Sequence, residues 1–364
     1  MKEIRQSRPV SVGGIPLGGG SPLTVQSMTN VPSADFSAVE RQTRALTEAG
    51  CDIVRIAVPD EESAGVFAAL RSRGVSVPLV ADIHFDYRLA LLSVRGGASK
   101  IRINPGNIGA EWKTREVAAA CRDAGLPIRI GVNGGSVSRA ILAKYGAPTP
   151  DALVESALSQ ADILEKTGFS DIVLSVKTSS VTDTIETYRK IAALCPYPLH
   201  IGVTEAGDAY TGLLKNAVGI GALLADGIGD TLRVSLTADP LEEVRAGREL
   251  LSVLGRNPRG GVEVISCPTC GRTQIDLIGL AARFKEAAAR IDTGGKTVRV
   301  AVMGCVVNGP GEAREADFGI AGGDGFAVLF RHGETVRRVP EDEIVPCLLE
   351  EIRTFAGGKA ESDA

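Results

Sequence analysis

Three cysteines in the last third of the chain carry a pattern typical of metal chemistry. Cys267 and Cys270 form a Cys-x-x-Cys directly after a predicted strand, and Cys305 follows the next long predicted strand. Thiols at neighbouring strand ends can converge on one point, and the nearby Gly and Pro residues leave the backbone free to direct N–H groups toward bound sulfur. Three cysteines and one further ligand fit an iron–sulfur cluster.

Two other interpretations of these cysteines stay open from spacing alone. A structural zinc ion normally needs two more Cys or His ligands, and only Cys305 and the distant His332 are available. A redox dithiol needs only the Cys-x-x-Cys and leaves Cys305 without a role. Glu312, which follows a Pro-Gly pair, reads as a helix N-terminal charge as readily as a ligand. The remaining cysteines lie among aliphatic residues and are interpreted as small buried hydrophobes: Cys51, Cys121, Cys195 and Cys347.

Five cations interrupt otherwise apolar predicted strands. They are Arg55, Arg102, Arg129, Lys177 and Arg233. Buried charge is unfavourable unless it is paired, and the nearby acids, among them Asp82 and Glu205, are too few for five cations. The surplus predicts an anionic ligand, and guanidinium forks suit the oxygens of a diphosphate. Any single one of these cations, Arg233 included, could instead be a structural ion-pair partner.

Polar side chains at the same predicted strand ends are further candidates. Amide and hydroxyl groups there could complete a ligand site: Asn104, Asn133, Thr204 and Ser235. Two residues could move protons, but each has an alternative role. His84 is either a proton donor or a satisfied core residue, and Glu205 is either a general acid or the partner of an arginine.

Strands and helices must alternate to bring these residues together. The predicted strands are 23–27, 52–58, 78–83, 100–104, 128–133, 171–177, 199–204 and 231–237, and the predicted helices are 37–49, 61–73, 111–124, 151–167, 183–194, 211–225 and 240–254. Eight strand–helix units in this length predict a (β/α)8 TIM-type barrel, whose active site lies at the carboxyl ends of its strands. We therefore expect an α/β protein with a substrate-binding barrel over residues 1–255.

A Gly-rich stretch that starts at residue 255 reads as a linker. Beyond it, strands at 263–266, 297–302, 318–321 and 326–331 and helices at 274–289 and 341–355 predict a small C-terminal α/β domain. This domain, residues 256–364, contains the cysteine motifs and ends in a tail that we expect to be frayed.

The composition argues against a nucleic-acid-binding protein and against a membrane protein. The 364 residues carry a net charge of −4, which argues against nucleic-acid binding. The N-terminus lacks an apolar signal segment, and the most apolar stretch is too short to span a bilayer. We therefore expect a cytoplasmic protein that does not contact membranes.

Seven motifs together resemble one enzyme family. They are QSMTNV at 26–31, ADIHF at 81–85, IRINPGNIG at 101–109, IGVNGGS at 130–136, GIGDTLRVSL at 227–236, ISCPTCGRT at 265–273 and VMGCVVNGPGE at 302–312. In this order, over nearly the whole chain, they resemble the 4-hydroxy-3-methylbut-2-enyl diphosphate synthase family in its short bacterial form.

The resemblance implies a [4Fe-4S] cluster held by Cys267, Cys270, Cys305 and Glu312. It implies reductive ring opening of 2-C-methyl-D-erythritol 2,4-cyclodiphosphate, with electrons arriving singly from flavodoxin or ferredoxin. It also implies a head-to-tail homodimer, in which the cluster domain of one subunit caps the barrel of the other. The family's substrate contacts fall on Arg55, Arg102, Asn104, Arg129, Asn133, Lys177, Thr204, Glu205, Ser235 and Asn308.

Two catalytic roles follow from the resemblance. Glu205 is the expected proton donor to the departing hydroxyl group. Glu312 is the expected exchangeable ligand, because a carboxylate is a harder ligand than a thiolate and leaves iron more readily. A different barrel enzyme with a zinc domain, such as a pterin-dependent transferase, and a non-enzymatic iron–sulfur sensor are the alternatives.

Overall fold

A computed structural model describes residues 3–306 and 315–357 of the chain. The chain divides into two compact units, one ending at Leu250 and the other starting at Leu251. The sequence places this boundary a few residues later, in the Gly-rich stretch after residue 254.

Eight parallel strands form the first unit. They are β3 (Thr24–Met28), β4 (Ile53–Ala57), β5 (Leu79–Ile83), β6 (Lys100–Ile103), β7 (Ile128–Asn133), β8 (Ile172–Lys177), β9 (His200–Ile201) and β10 (Thr231–Leu232). Their order is β8-β7-β6-β5-β4-β3-β10-β9, and a parallel bridge between Leu174 and Leu199 joins the two ends. The predicted (β/α)8 barrel is therefore confirmed.

Helices follow each barrel strand. They are α1 (Phe36–Glu48), α2 (Glu61–Ala64), α3 (Val66–Ser72), α4 (Tyr87–Arg95), α5 (Pro105–Ile108), α6 (Glu111–Asp123), α7 (Arg139–Tyr145), α8 (Pro150–Glu165), α9 (Val181–Leu194), α10 (Ala209–Ala225) and α11 (Pro240–Val253). Side-chain caps start several of them: Asp35 accepts from the N–H of Ala38, and Asp208 accepts from that of Thr211.

Strands β9 and β10 are much shorter than the sequence predicts, and hydrogen bonds of Asn216 of α10 explain the difference. Its side-chain oxygen accepts from the N–H of Val203 at 3.2 Å, and its amide donates to the carbonyl of Ser235 at 3.1 Å. The backbone beyond Ile201 and Leu232 thus bonds partly to a helix side chain instead of a neighbouring strand. The predictions of strands to residues 204 and 237 were wrong for this reason.

One predicted helix is split, and several elements were missed. The predicted helix over 61–73 breaks at Gly65, whose N–H bonds to the carbonyl of Glu62, a tight i→i+3 turn. The sequence also gave no prediction for α4, α5 and α7, or for the short hairpin that precedes the barrel. This hairpin joins β1 (Val10–Val12) to the antiparallel β2 (Ile15–Leu17).

The hairpin closes one end of the barrel with apolar side chains. Val10, Val12 and Leu17 form a buried cluster with residues near the starts of three barrel strands, namely Ile53, Val80 and Val173. We call this cluster the floor. The side chains above the floor that point into the barrel can be identified from strand register, because residues paired directly across parallel strands point to the same side of the sheet. Val80 pairs with Lys100, Asp82 with Arg102, and Arg102 with Arg129.

The second unit has one mixed sheet with helices packed on it. Its strands are β11 (Gly261–Ser266), β12 (Thr297–Met303), β13 (Phe318–Gly323), β14 (Phe326–Arg331) and β15 (Glu334–Pro340), in sequence order across the sheet. Helices α12 (Leu277–Ala288) and α13 (Ile344–Gly357) contribute to a core that includes Phe284, Val300 and Leu348. Strand β15 was not predicted, because all of its residues except Val339 are exposed and three of the seven are charged.

The predicted small α/β domain is confirmed. Among the described residues, the helices are all too short or too polar to cross a membrane.

Candidate functional site

A pocket lies at the carboxyl ends of the barrel strands, where the sequence predicted the site. All five strand cations line it: Arg55, Arg102, Arg129, Lys177 and Arg233. Asp82 and His84 from the end of β5 also line it, together with the polar residues Asn133, Ser175, Thr204 and Ser235. The structure therefore brings together, from seven strands and their ends, side chains that are far apart in the sequence.

Two buried carboxylates pair with some of these cations. Asp82 accepts from Arg102 at 2.9 Å and lies 3.6 Å from Arg55. Glu243 of α11 accepts two hydrogen bonds from Arg233, both at 3.0 Å. Arg129 and Lys177 make no ion pair with the described part of the chain. The pocket consequently keeps a surplus of positive charge.

Burial and neighbouring charges change the proton affinities in the pocket. Burial alone would raise the pKa of Asp82, but attraction to Arg55, the His84 hydrogen bond and attraction to Arg102 outweigh it and hold the pKa well below its usual range. Burial lowers the pKa of Arg55 to about 10, which leaves it charged at neutral pH. Burial, followed by repulsion from Arg129, Arg233 and Arg55, lowers the pKa of Lys177 well below its ordinary value.

Two glycines leave room for the cations. A Cβ atom on Gly131 would lie 2.6 Å from Nε of Arg102, and a Cβ on Gly202 would lie 2.7 Å from Nζ of Lys177. Gly202 also has a φ of +150° and its Cβ would meet the carbonyl of Arg233 at 2.3 Å. Larger residues at these positions would displace the charged groups that line the pocket.

Two predicted site residues do not line this pocket. Asn104 is buried at the start of α5, and its side-chain oxygen has no hydrogen-bond partner in the described structure. Glu205 is exposed, and its backbone has a φ of +51°, a conformation that non-glycine residues adopt only under local constraint. Their predicted roles in binding and proton transfer stay predictions.

His84 takes a position between charges. Its Nε2 lies 3.4 Å from Asp82 and 3.3 Å from Arg102, and half of its side chain is exposed. It is therefore a pocket residue and not a satisfied core histidine. Its ring nitrogen therefore faces both members of the Asp82–Arg102 ion pair.

Residues that sequence reasoning missed complete the barrel interior. Lys100, the first residue of β6, is fully buried on the same face as Arg102, and the two-residue spacing could have revealed it. Glu243 lies in the first turn of α11, where an acidic residue is usually a surface charge, so no local pattern identified it.

The cysteine motifs lie at one edge of the C-terminal sheet. Parallel β11 and β12 pair Ser266 with Val302, so Cys267 follows one strand end and Cys305 the neighbouring one. The N–H of Gly304 donates to Sγ of Cys267 at 3.4 Å. Hydrogen bonds from the backbone and side chain of Arg272 lower the pKa of Cys270, which favours the thiolate form.

Part of this second site lies outside the described residues. Asn308 and Glu312 fall in the stretch 307–314, of which the structure gives no description. Within 3–306 and 315–357, no three His, Cys, Asp or Glu side chains are gathered closely enough to hold a metal ion. Of the other cysteines, Cys51, Cys121 and Cys347 are buried as expected, whereas Cys195 is only partly buried.

Comparisons with known proteins cover both units. The family model of the GcpE TIM-barrel domain matches residues 7–248, and that of the GcpE protein C-terminal domain matches residues 263–354. A 4-hydroxy-3-methylbut-2-en-1-yl diphosphate synthase (flavodoxin) of Symbiobacterium thermophilum is 55% identical over 96% of this chain and 93% of its own length. The enzyme of the same name from Geobacter sulfurreducens is 52% identical over 97% and 99%.

A solved structure supports the barrel fold alone. The type I 3-dehydroquinate dehydratase of Clostridium difficile covers 68% of this chain and 98% of its own, with a TM-score of 0.51 and 13% identity. At this identity the likeness concerns the fold and carries no information about the reaction.

Proposed function

The chain belongs to the GcpE family, and from that premise we propose that it is a 4-hydroxy-3-methylbut-2-en-1-yl diphosphate synthase. It opens the ring of 2-C-methyl-D-erythritol 2,4-cyclodiphosphate reductively. The ring opening consumes two electrons and two protons and releases one water molecule. The observation that carries the proposal is the surplus of buried cations at the barrel mouth, in a chain whose relatives bear this name.

The barrel residues bind and orient the diphosphate. Arg102 and Arg55 line the pocket while paired with Asp82. Arg129 and Lys177 form no ion pair among the described residues, so no carboxylate competes there with the phosphate groups. Guanidinium groups bind phosphate oxygens in pairs, and an ammonium group adds a point charge. The remaining proposed contacts are Asn104, Asn133, Thr204, Glu205, Ser235 and Asn308.

Cys267, Cys270, Cys305 and Glu312 would hold a [4Fe-4S] cluster. Three thiols that follow adjacent strand ends, with the N–H of Gly304 directed at Cys267, fit the donor chemistry of such a group. When bound, the cluster supplies the electrons of the reduction. Glu312 is proposed as the ligand that exchanges, because carboxylates bind iron less firmly than thiolates.

A proton must reach the departing hydroxyl group, and we assign this step to Glu205. It follows β9 beside Thr204, a residue of the pocket lining. His84, which lies between Asp82 and Arg102 and lines the pocket, is the alternative candidate for this step.

Flavodoxin is the proposed electron donor, because the relatives carry it in their names, and ferredoxin is the alternative. We also propose a head-to-tail homodimer in which the cluster domain of one subunit caps the barrel of the other. Reduced donors and free thiols require a reducing compartment, so the proposed location is the cytoplasm.

Anaerobic turnover with reduced flavodoxin tests the barrel part of the proposal. Lys177→Met should lower kcat/KM roughly a hundredfold, since it removes an amine that lines the pocket and would attract the diphosphate. Lys166→Met is the matched control, because Lys166 is an exposed residue just after α8 that pairs with Asp162 of that helix. Equal activity of both variants would contradict a diphosphate site at Lys177, whereas a wild-type protein without turnover would favour a sensor or another barrel enzyme.

Visible absorption of the anaerobically reconstituted protein tests the cluster. The wild type should show the broad charge-transfer absorption of iron–sulfur clusters, and Cys305→Ala should lose most of it. Cys347→Ala removes a buried thiol from the core of the same unit and should keep the absorption. A wild-type protein that binds zinc and stays colourless after reconstitution would contradict the cluster assignment.

A further inference from the structure

A second layer of polar groups lies inside the barrel, between the cation-lined pocket and the floor. Register places Gln26 of β3, Lys100 of β6 and Thr231 of β10 on the inward face, and His200 pairs with Thr231. Gln26, Lys100 and His200 are at most 1% exposed. Several atoms of this layer have no hydrogen-bond partner in the described structure: Nε2 and Oε1 of Gln26, Nζ of Lys100, and Nε2 of His200.

The side chain of Lys100 cannot reach solvent through the floor. Its register partner on β5 is Val80, which packs against Val12 and Leu17 of the N-terminal hairpin. Lysine usually extends its charged end to water along an apolar surface, but here the apolar groups close the end of the barrel. The amine is thus enclosed between the floor and the pocket, with 0% of the residue exposed.

Charged groups around Lys100 are mostly positive. The titratable and charged groups on the inward faces and strand ends are Arg55 on β4, Asp82 on β5 and His84 after it, Arg102 on β6, Arg129 on β7, Lys177 on β8, His200 on β9 and Glu205 after it, and Arg233 after β10; Tyr188 of α9 donates to the carbonyl of His200. Asp82 is engaged by Arg102 and Arg55, and Glu243 by Arg233. No carboxylate of the described residues forms an ion pair with Lys100 or Arg129.

One of these buried cations must therefore give up its proton. Guanidinium groups keep theirs at all ordinary pH values, whereas a buried ammonium group neutralises readily. Burial, together with repulsion from Arg129 and Arg55, lowers the pKa of Lys100 well below its ordinary value. The electrostatic environment and the enclosure of Lys100 both favour the neutral amine over the charged ammonium group.

We propose that Lys100 is neutral in the ligand-free enzyme and takes up a proton when a diphosphate binds in the pocket above it, so that substrate binding is linked to proton uptake. This inference rests on the proposed function, because the anion that enters the barrel is the cyclodiphosphate. The negative charge of the ligand acts on Lys100 through the poorly screened barrel interior and offsets the repulsion from Arg129 and Arg55. Lys100 is then a positioning residue that strengthens the hold on the ligand without contacting it.

Because substrate binding and proton uptake are thermodynamically linked, the direction of the pH dependence of the affinity is determined. Binding that takes up protons becomes tighter as the pH falls, and one proton corresponds to about tenfold in affinity per pH unit. The effect is confined to the pH range between the pKa of Lys100 in the free enzyme and its higher pKa in the complex, because below this range the amine is charged in both states and above it the amine is neutral in both. The cyclodiphosphate itself contributes nothing near neutral pH, since each of its phosphorus atoms carries a single, strongly acidic hydroxyl group.

Titration calorimetry of the anaerobic holoenzyme with the cyclodiphosphate, without reductant, measures the protons taken up. The heat is compared in buffers of different ionisation enthalpy, from about pH 6 to about pH 9. Lys100→Met replaces the amine with an unbranched apolar side chain of similar size and should reduce the uptake by about one proton per site, flattening the pH dependence of Kd by the same amount. Lys166→Met, on the surface of α8, should match the wild type.

Equal proton uptake by the wild type and Lys100→Met would overturn the inference. If Lys100→Met does not fold, Lys100→Gln replaces it, and a wild-type Kd that is constant over the same pH range would also overturn it. Lys177 contributes to the wild-type uptake as well, so the comparison between variants decides the role of Lys100. A wild-type protein that does not bind the cyclodiphosphate contradicts the proposed function, and the inference about Lys100 falls with it.

Discussion

Two buried carboxylates set how much positive charge the barrel offers to a ligand. Asp82 engages Arg55 and Arg102 inside the pocket, and Glu243 engages Arg233 from the first turn of α11. Glu243 also accepts from Ser27 at 2.8 Å and from the N–H of Leu236 at 3.1 Å. A network in which every oxygen is satisfied stabilises the strand ends that carry the site.

Glu243→Gln should strongly destabilise the barrel, because it leaves the guanidinium of Arg233 without a counter-charge. Removal of one partner from a buried pair costs about 3–5 kcal/mol of unfolding free energy. Urea unfolding followed by the fluorescence of Trp112, the one tryptophan of the chain, measures it in the barrel unit.

Glu242→Gln is the control at the adjacent position. Glu242 is about half exposed and pairs with Arg245 on the surface of α11, so its loss should change stability by less than about 1 kcal/mol. Similar losses for the two variants would show that Glu243 is not a buried counter-charge.

Gly131→Ala should weaken substrate binding more than it weakens the fold. The new Cβ would crowd Arg102, which is fixed by Asp82 and by the carbonyl of Gly131 itself. Overpacking of about 1–3 kcal/mol, part of it relieved by moving the guanidinium, predicts an increase in Kd of about tenfold. Calorimetric titration with the cyclodiphosphate measures Kd.

Gly221→Ala serves as the control, because a Cβ there meets nothing within 4 Å and the residue lies in α10. It should leave Kd unchanged and stabilise α10 slightly. An unchanged Kd in Gly131→Ala would mean that Arg102 does not hold the ligand.

At the scale of elements, the N-terminal hairpin explains how a barrel with so polar an interior stays folded. Barrels of this type are usually filled by branched aliphatic side chains, whereas here cations and amides occupy the upper layers. The floor supplies the missing apolar packing: Val10, Val12 and Leu17 cover Ile53, Val80 and Val173. The hairpin thus stabilises the strands beneath the site.

Leu17→Ala should destabilise the barrel by about 2–5 kcal/mol, the usual range for a buried leucine. Ser11→Ala, an exposed change on the facing strand of the same hairpin, should alter stability by less than about 0.5 kcal/mol. Denaturant unfolding monitored by Trp112 again measures both. A tolerated Leu17→Ala would show that the floor does not contribute to barrel stability.

The alternation of strands and helices in the sequence predicted the barrel, and the cations within apolar strands predicted its site. The ends of the strands, however, are determined by hydrogen bonds between side chains and the backbone. The cations at alternate strand positions could be read directly, since an arginine between isoleucines has few structural explanations. The ends of β9 and β10 could not, because they depend on Asn216, which lies on a helix and bonds to both. Glu243 was missed for the same reason: its partner Arg233 reaches it only in the folded barrel.

At the scale of the molecule, the cation-lined pocket and the cysteine motifs belong to different compact units. The barrel unit contains the cation-lined pocket, and the C-terminal unit contains the thiols on a sheet with its own apolar core. Substitutions in the core of one unit are therefore expected to change the stability of that unit first.

Phe284→Ala should destabilise the C-terminal unit by about 3–5 kcal/mol and leave the Trp112 transition unchanged. Phe67→Ala, at an equally buried position in α3, should instead shift the Trp112 transition. Far-ultraviolet circular dichroism follows both units in the same samples. A shift of the Trp112 transition in Phe284→Ala would show that the two cores unfold as one.

Phosphorus NMR of an anaerobic reaction tests the central claim most directly. The reconstituted enzyme is mixed with the cyclodiphosphate and reduced flavodoxin, and the products and the oxidised donor are counted. The account predicts that the cyclic diphosphate is replaced by the linear allylic diphosphate, with two electrons consumed for each product molecule. An enzyme with an intact iron–sulfur spectrum that leaves the cyclodiphosphate unchanged would contradict it.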